Sequence, residues 1–419
     1  MKRNYLIVTL ILLTFFVVSF LTNILGALNP NISASYTLTE TMAGFLPFAF
    51  FIAYGVMSIP SGLLVEKLGE KTMMIIAFIT AFSGSLLFAL VPTFGVFVAS
   101  LFTIGAGMAA LQVVINPLLR VSGGEENFAF NSVMAQLIFG LASFISPLMY
   151  TYLVTNINQG ATEKPFIGLM SQLVSIDMSW VSVYWVFALI SLLMIALIFF
   201  IRFPKVELKE DEKVGSRDSY LALFKNKYVI LYFLGIFCYV GSEQGISYWM
   251  SKFLSVYHGF DPDTSGASAV SYYWGLMTIG GVFGLVFMKL FDSKLVLRWF
   301  TILTIVCVFF GLFGSPGISI WAFPISGFFM SVMYPSIVSL GLNSVSEHHG
   351  SFAGILMTGI AGGAIVQILI GGLSDLFSLK LGMTFVFVTL GYVLSISFWA
   401  KPIIVNKTIN SLKDLFKGE

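Results

Sequence analysis

Charge is scarce in this 419-residue chain: only 10% of its residues are Asp, Glu, Lys or Arg, against 58% hydrophobic. Soluble domains carry roughly a quarter charged residues. The shortage excludes a water-soluble globule, which must still cover itself with polar side chains, and makes lipid the solvent for most of the chain. A net charge of +2 is too small to draw nucleic acid or acidic partners. Cysteine is almost missing. Cys238 and Cys307 stand in apolar stretches without C-x-x-C spacing, which leaves no disulfide framework and no cysteine metal site. His348 and His349 are adjacent in an expected turn, not at ligand spacing, so no metal is expected there. The chain also lacks G-x-S-x-G, H-E-x-x-H and G-x-x-x-x-G-K-[ST]. Hydrolysis, zinc chemistry and ATP-driven pumping therefore find no support; neither an enzyme nor a cofactor is expected.

What the chain has instead is long apolar runs. A membrane-crossing helix needs about 20 mainly apolar residues. That ruler predicts twelve spans: 5–27, 41–64, 72–91, 95–118, 129–152 and 180–202, then 228–256, 266–288, 296–314, 317–341, 351–373 and 382–402. Helices follow from the lengths, because backbone in hydrocarbon must satisfy its own hydrogen bonds. The first run, after MKRN, has no small-residue cleavage site behind a short apolar core and reads as a span rather than a signal peptide. The longest charged interval, FPKVELKEDEKVGSRDSYLALFKNK, divides the spans six and six. The expected organisation is a first half over 1–202, a connector over 203–227, a second half over 228–404 and a tail over 405–419. With the N-terminus placed in the cytoplasm, all 22 Lys and Arg residues fall on the cytoplasmic side except Lys164, Lys252 and Lys380. That asymmetry satisfies the positive-inside rule and predicts both termini in the cytoplasm, with a bacterial-type inner membrane as the location.

The halves echo one another. GLLVEKLGEK (62–71) follows span 2, and GLVFMKLFDSK (284–294) follows span 8. Parallel six-helix repeats around a central cavity are a transporter architecture. The fold expected is an all-α integral membrane protein of twelve helices in two pseudo-symmetric halves. GLLVEKLGEK resembles the loop motif of the major facilitator superfamily, with Gly62, Glu66, Lys67, Gly69 and Lys71 at its defining positions. Further stretches are similar to the fucose–proton symporter family of sugar permeases: FLTNILGALNPNI, GAGMAALQVVINPLLRVSG, YVGSEQG, SVMYPSIVSLGL and the Gly-Gly-Ala of GIAGGAIVQ. This resemblance covers nearly the whole chain. It implies sugar uptake driven by a cation gradient, and a gating role for the motif loop. Two departures stand out. The span 1 aspartate that serves as protonation site in fucose permeases lies four residues before a proline, which here is Gly26. The family's span 4 carboxylate, four residues before Asn-Pro, here is Gln112.

One acid remains near a midplane, Glu243. Insertion scales put such a residue at roughly 2.5–3.5 kcal/mol, and intramembrane ionisable groups mark function by default. Burial penalises the charged form, which suits a group that loads and unloads a proton; Na⁺ beside a permanent carboxylate is the alternative. Either way Glu243 is the expected cation-coupling residue. Helical spacing puts Gln112 with Asn116, and Glu243 with Ser247, on shared faces. Amides donate and accept at once, as sugar hydroxyls require. The expected substrate contacts are thus Asn23, Gln112, Asn116, Gln136, Gln244, Ser247 and Gln367, with Tyr248, Tyr273, Trp274 and Tyr334 as aromatic platforms. An interfacial belt is the competing assignment for aromatic residues near span ends, and Asn116 beside Pro117 can instead cap a kink. The function expected is import of a monosaccharide by cation symport through alternating access, with H⁺ favoured over Na⁺. The rivals on the same fold are an exporter of amphipathic compounds and a passive sugar uniporter. A channel is disfavoured by the twofold repeat and the absence of a charged pore ring. Expected partners are the sugar, H⁺ or Na⁺, and membrane lipid, without nucleic acid; a monomer is expected.

Overall fold

The computed structural model describes residues 5–124, 128–203, 223–345 and 349–403. Among these, twelve helices are long and apolar enough to cross a membrane. The first half holds α1 (Tyr5–Ser35), α2 (Glu40–Val65), α3 (Glu70–Leu90), α4 (Phe94–Gly123), α5 (Phe130–Asn158) and α6 (Ile176–Phe200). The second holds α7 (Lys227–His258), α8 (Pro262–Leu290), α9 (Ser293–Phe313), α10 (Pro316–Leu342), α11 (Ser351–Leu376) and α12 (Leu379–Trp399). Each expected span is present, most of them a few residues longer, because the helices run past the hydrocarbon into the polar boundary. Most of the expected connector, 204–222, lies outside the described residues, as does the tail from 404.

Local chemistry sets several ends. Thr39 accepts from the Met42 amide at the start of α2 (3.2 Å), and Asn226 accepts from the Tyr228 amide at the start of α7 (3.0 Å), each satisfying an orphan N–H. Gly69, in the loop motif, has φ of 78°, a backbone conformation a side chain would strain; it separates α2 from α3. Lys71 two residues on donates to the Phe199 carbonyl at the end of α6 (2.8 Å), a cation on a helix C-terminus.

Twelve crossings put both ends of the described chain on one side, called here the terminal side, opposite a far side. The halves meet along three helix pairs: α2 on α11, α5 on α8, and the outer part of α1 (Leu25–Ser35) on α7. The inner part of α1 (Tyr5–Thr22) makes no comparable contact with α7, so α1 and α7 diverge toward the terminal side. Hydrogen bonds between the halves concentrate at the far side. Tyr248 donates to the Ala43 carbonyl (2.6 Å), and Asn29 donates to the Tyr248 carbonyl (3.1 Å). Ser271 donates to the Phe144 carbonyl (2.5 Å). Asp263 accepts from Asn31 (2.8 Å) and also from the Tyr150 hydroxyl. Among the described residues, the halves are joined on the far side and splayed on the terminal side.

Such a seam requires backbones to come close. A methyl on Gly44 would lie 2.6 Å from the Gln367 carbonyl oxygen of α11. Small residues permit this approach in a membrane, where apolar burial supplies no drive and packing does the work. Replacing Gly44→Leu loads the closed seam with an overpacking cost of about 1–3 kcal/mol. The closed population should fall by roughly tenfold or more. A thiol at Ser271→Cys, in a chain otherwise free of cysteine, reports this: its maleimide reactivity should rise by a similar factor when Gly44→Leu is added. Unchanged reactivity would show that the α2–α11 contact does not control closure of the α5–α8 seam.

Candidate functional site

Glu243 sits midway along α7, half-buried. Its Oε1 accepts a hydrogen bond from the Tyr239 hydroxyl (2.7 Å), one turn earlier on the same helix. The Tyr239 ring in turn packs against Tyr334 of α10, centroids 5.9 Å apart. Tyr273 of α8 donates to the Glu243 backbone carbonyl (3.4 Å) and to Met330 Sδ (3.1 Å). Tyr334 donates to Met357 Sδ (3.1 Å). Among the described residues no cationic side chain pairs with the carboxylate. Phenols, thioethers and apolar carbon surround the acid, and its donors, the Tyr239 hydroxyl and the Gln244 side chain, are both neutral.

The helices opposite carry the open amides. Within its half α4 is covered by α1, α2, α3 and α5. Gln112 remains half-buried and Asn116 exposed, both in the terminal-side half of α4. Gln136, early in α5, is exposed too. An amide left open to hydrocarbon would forfeit its hydrogen bonds at a cost of several kcal/mol, so these faces belong to a wet cavity between the splayed halves. Asn116 Nδ2 donates to the Gln112 carbonyl (3.1 Å), the one a turn back rather than the Val113 carbonyl freed by Pro117. One donor is spent locally, while the amide oxygen stays free for a ligand. Asn23 is different. It is buried at a break in α1 and donates to Ser143 of α5 (2.8 Å), tying two helices of its own half.

Four expected substrate contacts are buried against neighbouring helices in this conformation. Gln367 is fully buried, accepts from the Trp249 indole (2.9 Å) and donates to the Gly241 carbonyl (3.4 Å). Tyr248 is spent on the Ala43 carbonyl. Ser247 is buried where its carbonyl meets Gly26, and Gln244 packs against Gly363. Gln244 and Tyr248 lie on a face of α7 turned toward α11 and α2, while Ser247, on the face of Glu243, stands one turn farther into the region that α1 seals. Tyr273 is buried and braces α7 from behind; Tyr334 is half-buried and reaches the site. Trp274 is buried with an indole N–H that has no partner among the described residues, a donor left for water or ligand. Of the loop motif, Lys71 bonds within the first half, Lys67 is exposed, Gly62 is half-buried, and the Glu66 side chain lies outside the described residues.

Gly26 also gains a physical account. A side chain there would run into the Ser247 carbonyl of α7, so in this conformation the position has no room for an acid. Tyr239 is the partner of Glu243 that the pattern analysis passed over. Its signal was in the sequence, as a phenol four residues before the one mid-span carboxylate.

Comparison with known proteins agrees with this architecture. The family model described as Major Facilitator Superfamily matches residues 11–366. A glucose/galactose transporter of Brucella abortus (strain 9-941) is 27% identical over 402 residues, covering 94% of this chain and 93% of that protein. The L-fucose-proton symporter of Escherichia coli (strain K12) is 26% identical over 391 residues, covering 89% and 88%. Among solved structures, a Major Facilitator Superfamily transporter, FucP, in the outward conformation, superposes with a TM-score of 0.67 at 23% identity, over 94% of this chain and 98% of that one. With a family model spanning most of its length and twelve spans meeting along one central seam, the chain belongs to the Major Facilitator Superfamily of membrane transporters.

Proposed function

We propose that the protein imports a monosaccharide, of the glucose or galactose kind, by symport with a cation, and that Glu243 is the coupling group. The observation that carries the reading is the carboxylate itself: mid-span, half-buried, held by Tyr239, with no described cation to neutralise it. Such a group cannot cross between an open and a sealed environment as a bare charge. Something must bind it in each cycle.

The surroundings favour H⁺ over Na⁺. A hard cation takes several oxygen ligands. Around Glu243, Tyr334 is turned to methionine sulfur, Tyr273 divides its hydroxyl between Met330 Sδ and the Glu243 backbone carbonyl, and Ser247 is buried toward the seam. A proton needs only the carboxylate. The sugar is assigned to the open face, where Gln112, Asn116 and Gln136 offer paired donors and acceptors opposite Tyr334 and the unpartnered Trp274 indole. The names of the relatives, glucose/galactose transporter and L-fucose-proton symporter, support both the substrate class and the coupling. The positive-inside asymmetry makes the terminal side cytoplasmic. The conformation described is then inward-facing, in a bacterial-type inner membrane.

Two measurements test this. Glu243→Gln keeps the shape and an acceptor for Tyr239 but cannot exchange a charge. In proteoliposomes it should abolish gradient-driven accumulation while leaving sugar binding and equilibrium exchange within about twofold of the parent. Accumulation that survives would move coupling elsewhere, and loss of binding would make Glu243 a sugar ligand. Removing one buried hydrogen-bond partner costs roughly 1–3 kcal/mol. Gln112→Ala and Asn116→Ala should therefore each weaken sugar affinity by about tenfold, read by calorimetry or thermal shift across a monosaccharide panel. Unaltered affinity in both would return these amides to packing roles.

A further inference from the structure

The first turn of α2 stands at the far side, against three other helices. Asp375, at the end of α11, places Oδ1 on the Glu40 amide (2.7 Å) and Oδ2 on the Thr41 amide (2.9 Å). These are orphan N–H groups at the positive end of a helix, where a carboxylate is doubly favoured. The carboxylate comes from the opposite half of the molecule. Thr39, the helix's own cap, covers only the Met42 amide. The Glu40 side chain, in turn, forms an ion pair with Lys252 of α7 (2.7 Å), again from the opposite half. Lys252 also donates to Ser33 of α1 (3.1 Å) and stands 6.0 Å from the centre of the Trp249 ring. Trp249 is bonded to Gln367 of α11.

We infer that this turn is a two-pronged latch on the far-side gate: Asp375 holds its amides, Lys252 holds its carboxylate, and together they set how long the transporter stays sealed. Both prongs cross the seam, so both must break when the halves part. Each helix involved also packs against helices of its own half, so loss of a prong leaves that packing in place. The prongs differ in strength. Asp375 is exposed, and water replaces its bonds readily once it leaves. Lys252 is only 8% exposed, so removing one member of its pair strands a buried charge. Lys252 and Glu40 should therefore dominate the latch, with Asp375 setting the register in which α2 seats.

The arrangement is independent of which solute is carried and of what couples its transport. It also assigns work to Lys252, one of the three basic residues that break the positive-inside asymmetry. A basic residue near the far end of α7 is tolerated because sealing gives it an acid, a hydroxyl and an indole ring.

The test uses the full-length protein in detergent, with Cys238 and Cys307 replaced by alanine and a reporter thiol at Asn29→Cys, a fully buried seam position. The readout is the rate of reaction with a bulky maleimide. Glu40→Gln and Lys252→Met should each accelerate labelling about tenfold or more, and Asp375→Asn about two- to fivefold. The double exchange Lys252→Glu with Glu40→Lys should return the rate toward that of the parent, whereas Lys252→Glu alone should label fastest. Parental rates in Glu40→Gln and Asp375→Asn would overturn the latch, and so would failure of the exchanged pair to slow labelling. Asp375→Asn, at an exposed position, keeps the test valid should the Lys252 variants misfold.

Discussion

A carboxylate at the middle of a membrane cannot be left charged and unpaired while the walls around it change places. Everything about Glu243 follows from that constraint. Burial raises the cost of its ionised form, and the donors near it, the Tyr239 phenol and the Gln244 amide, are neutral rather than cationic. Had a lysine or arginine stood opposite, the acid would be permanently neutralised and its protonation could not report on the conformation of the protein. The ring of Tyr239, Tyr273 and Tyr334 keeps the site polar enough to hold a carboxylate and dry enough to make its charge expensive.

The rest of the structure closes the molecule on one side of that group and parts it on the other. Close contacts at Gly26 and Gly44 let α1 and α2 lie against α7 and α11, and carbonyl acceptors on one half take donors from the other. These bonds are individually modest, about 0.5–1.5 kcal/mol each. A seam of this kind can close firmly and still open, because water substitutes for each bond as the halves separate. The helix breaks at Asn23 and after Met330, and the 3-10 turn Gly359–Ala361, sit at the level where sealed and splayed regions meet. Interrupted helices at that depth are a recurrent feature of transporter binding sites.

The twelve spans were legible in the sequence because hydrophobic length is a local property, and lipid enforces it segment by segment. Glu243 was legible for the same reason: one acid in an apolar run needs no partner to be conspicuous. The open amides Gln112, Asn116 and Gln136 were legible as polar residues inside apolar runs. What pattern could not supply was phase between helices. Gln367 reads as an amide fit for a sugar, yet its partner is Trp249 on another helix, which only the packed structure reveals. Gly26 reads as a missing acid, while in space it is a contact surface for Ser247. Asp375 and Glu40 read as unremarkable span ends until the halves bring them together. Each of these depends on pairings between residues more than a hundred positions apart.

The central claim is that one carboxylate ties sugar movement to a proton gradient. The most direct measurement is uptake of labelled glucose and galactose by proteoliposomes of the unaltered protein, with an imposed pH gradient, an imposed Na⁺ gradient, or neither. The account predicts accumulation above the external concentration with the pH gradient alone, collapsing when a protonophore is added. Equal equilibrium levels under all three conditions would contradict it and leave a passive carrier. Accumulation driven only by Na⁺ would contradict the choice of ion.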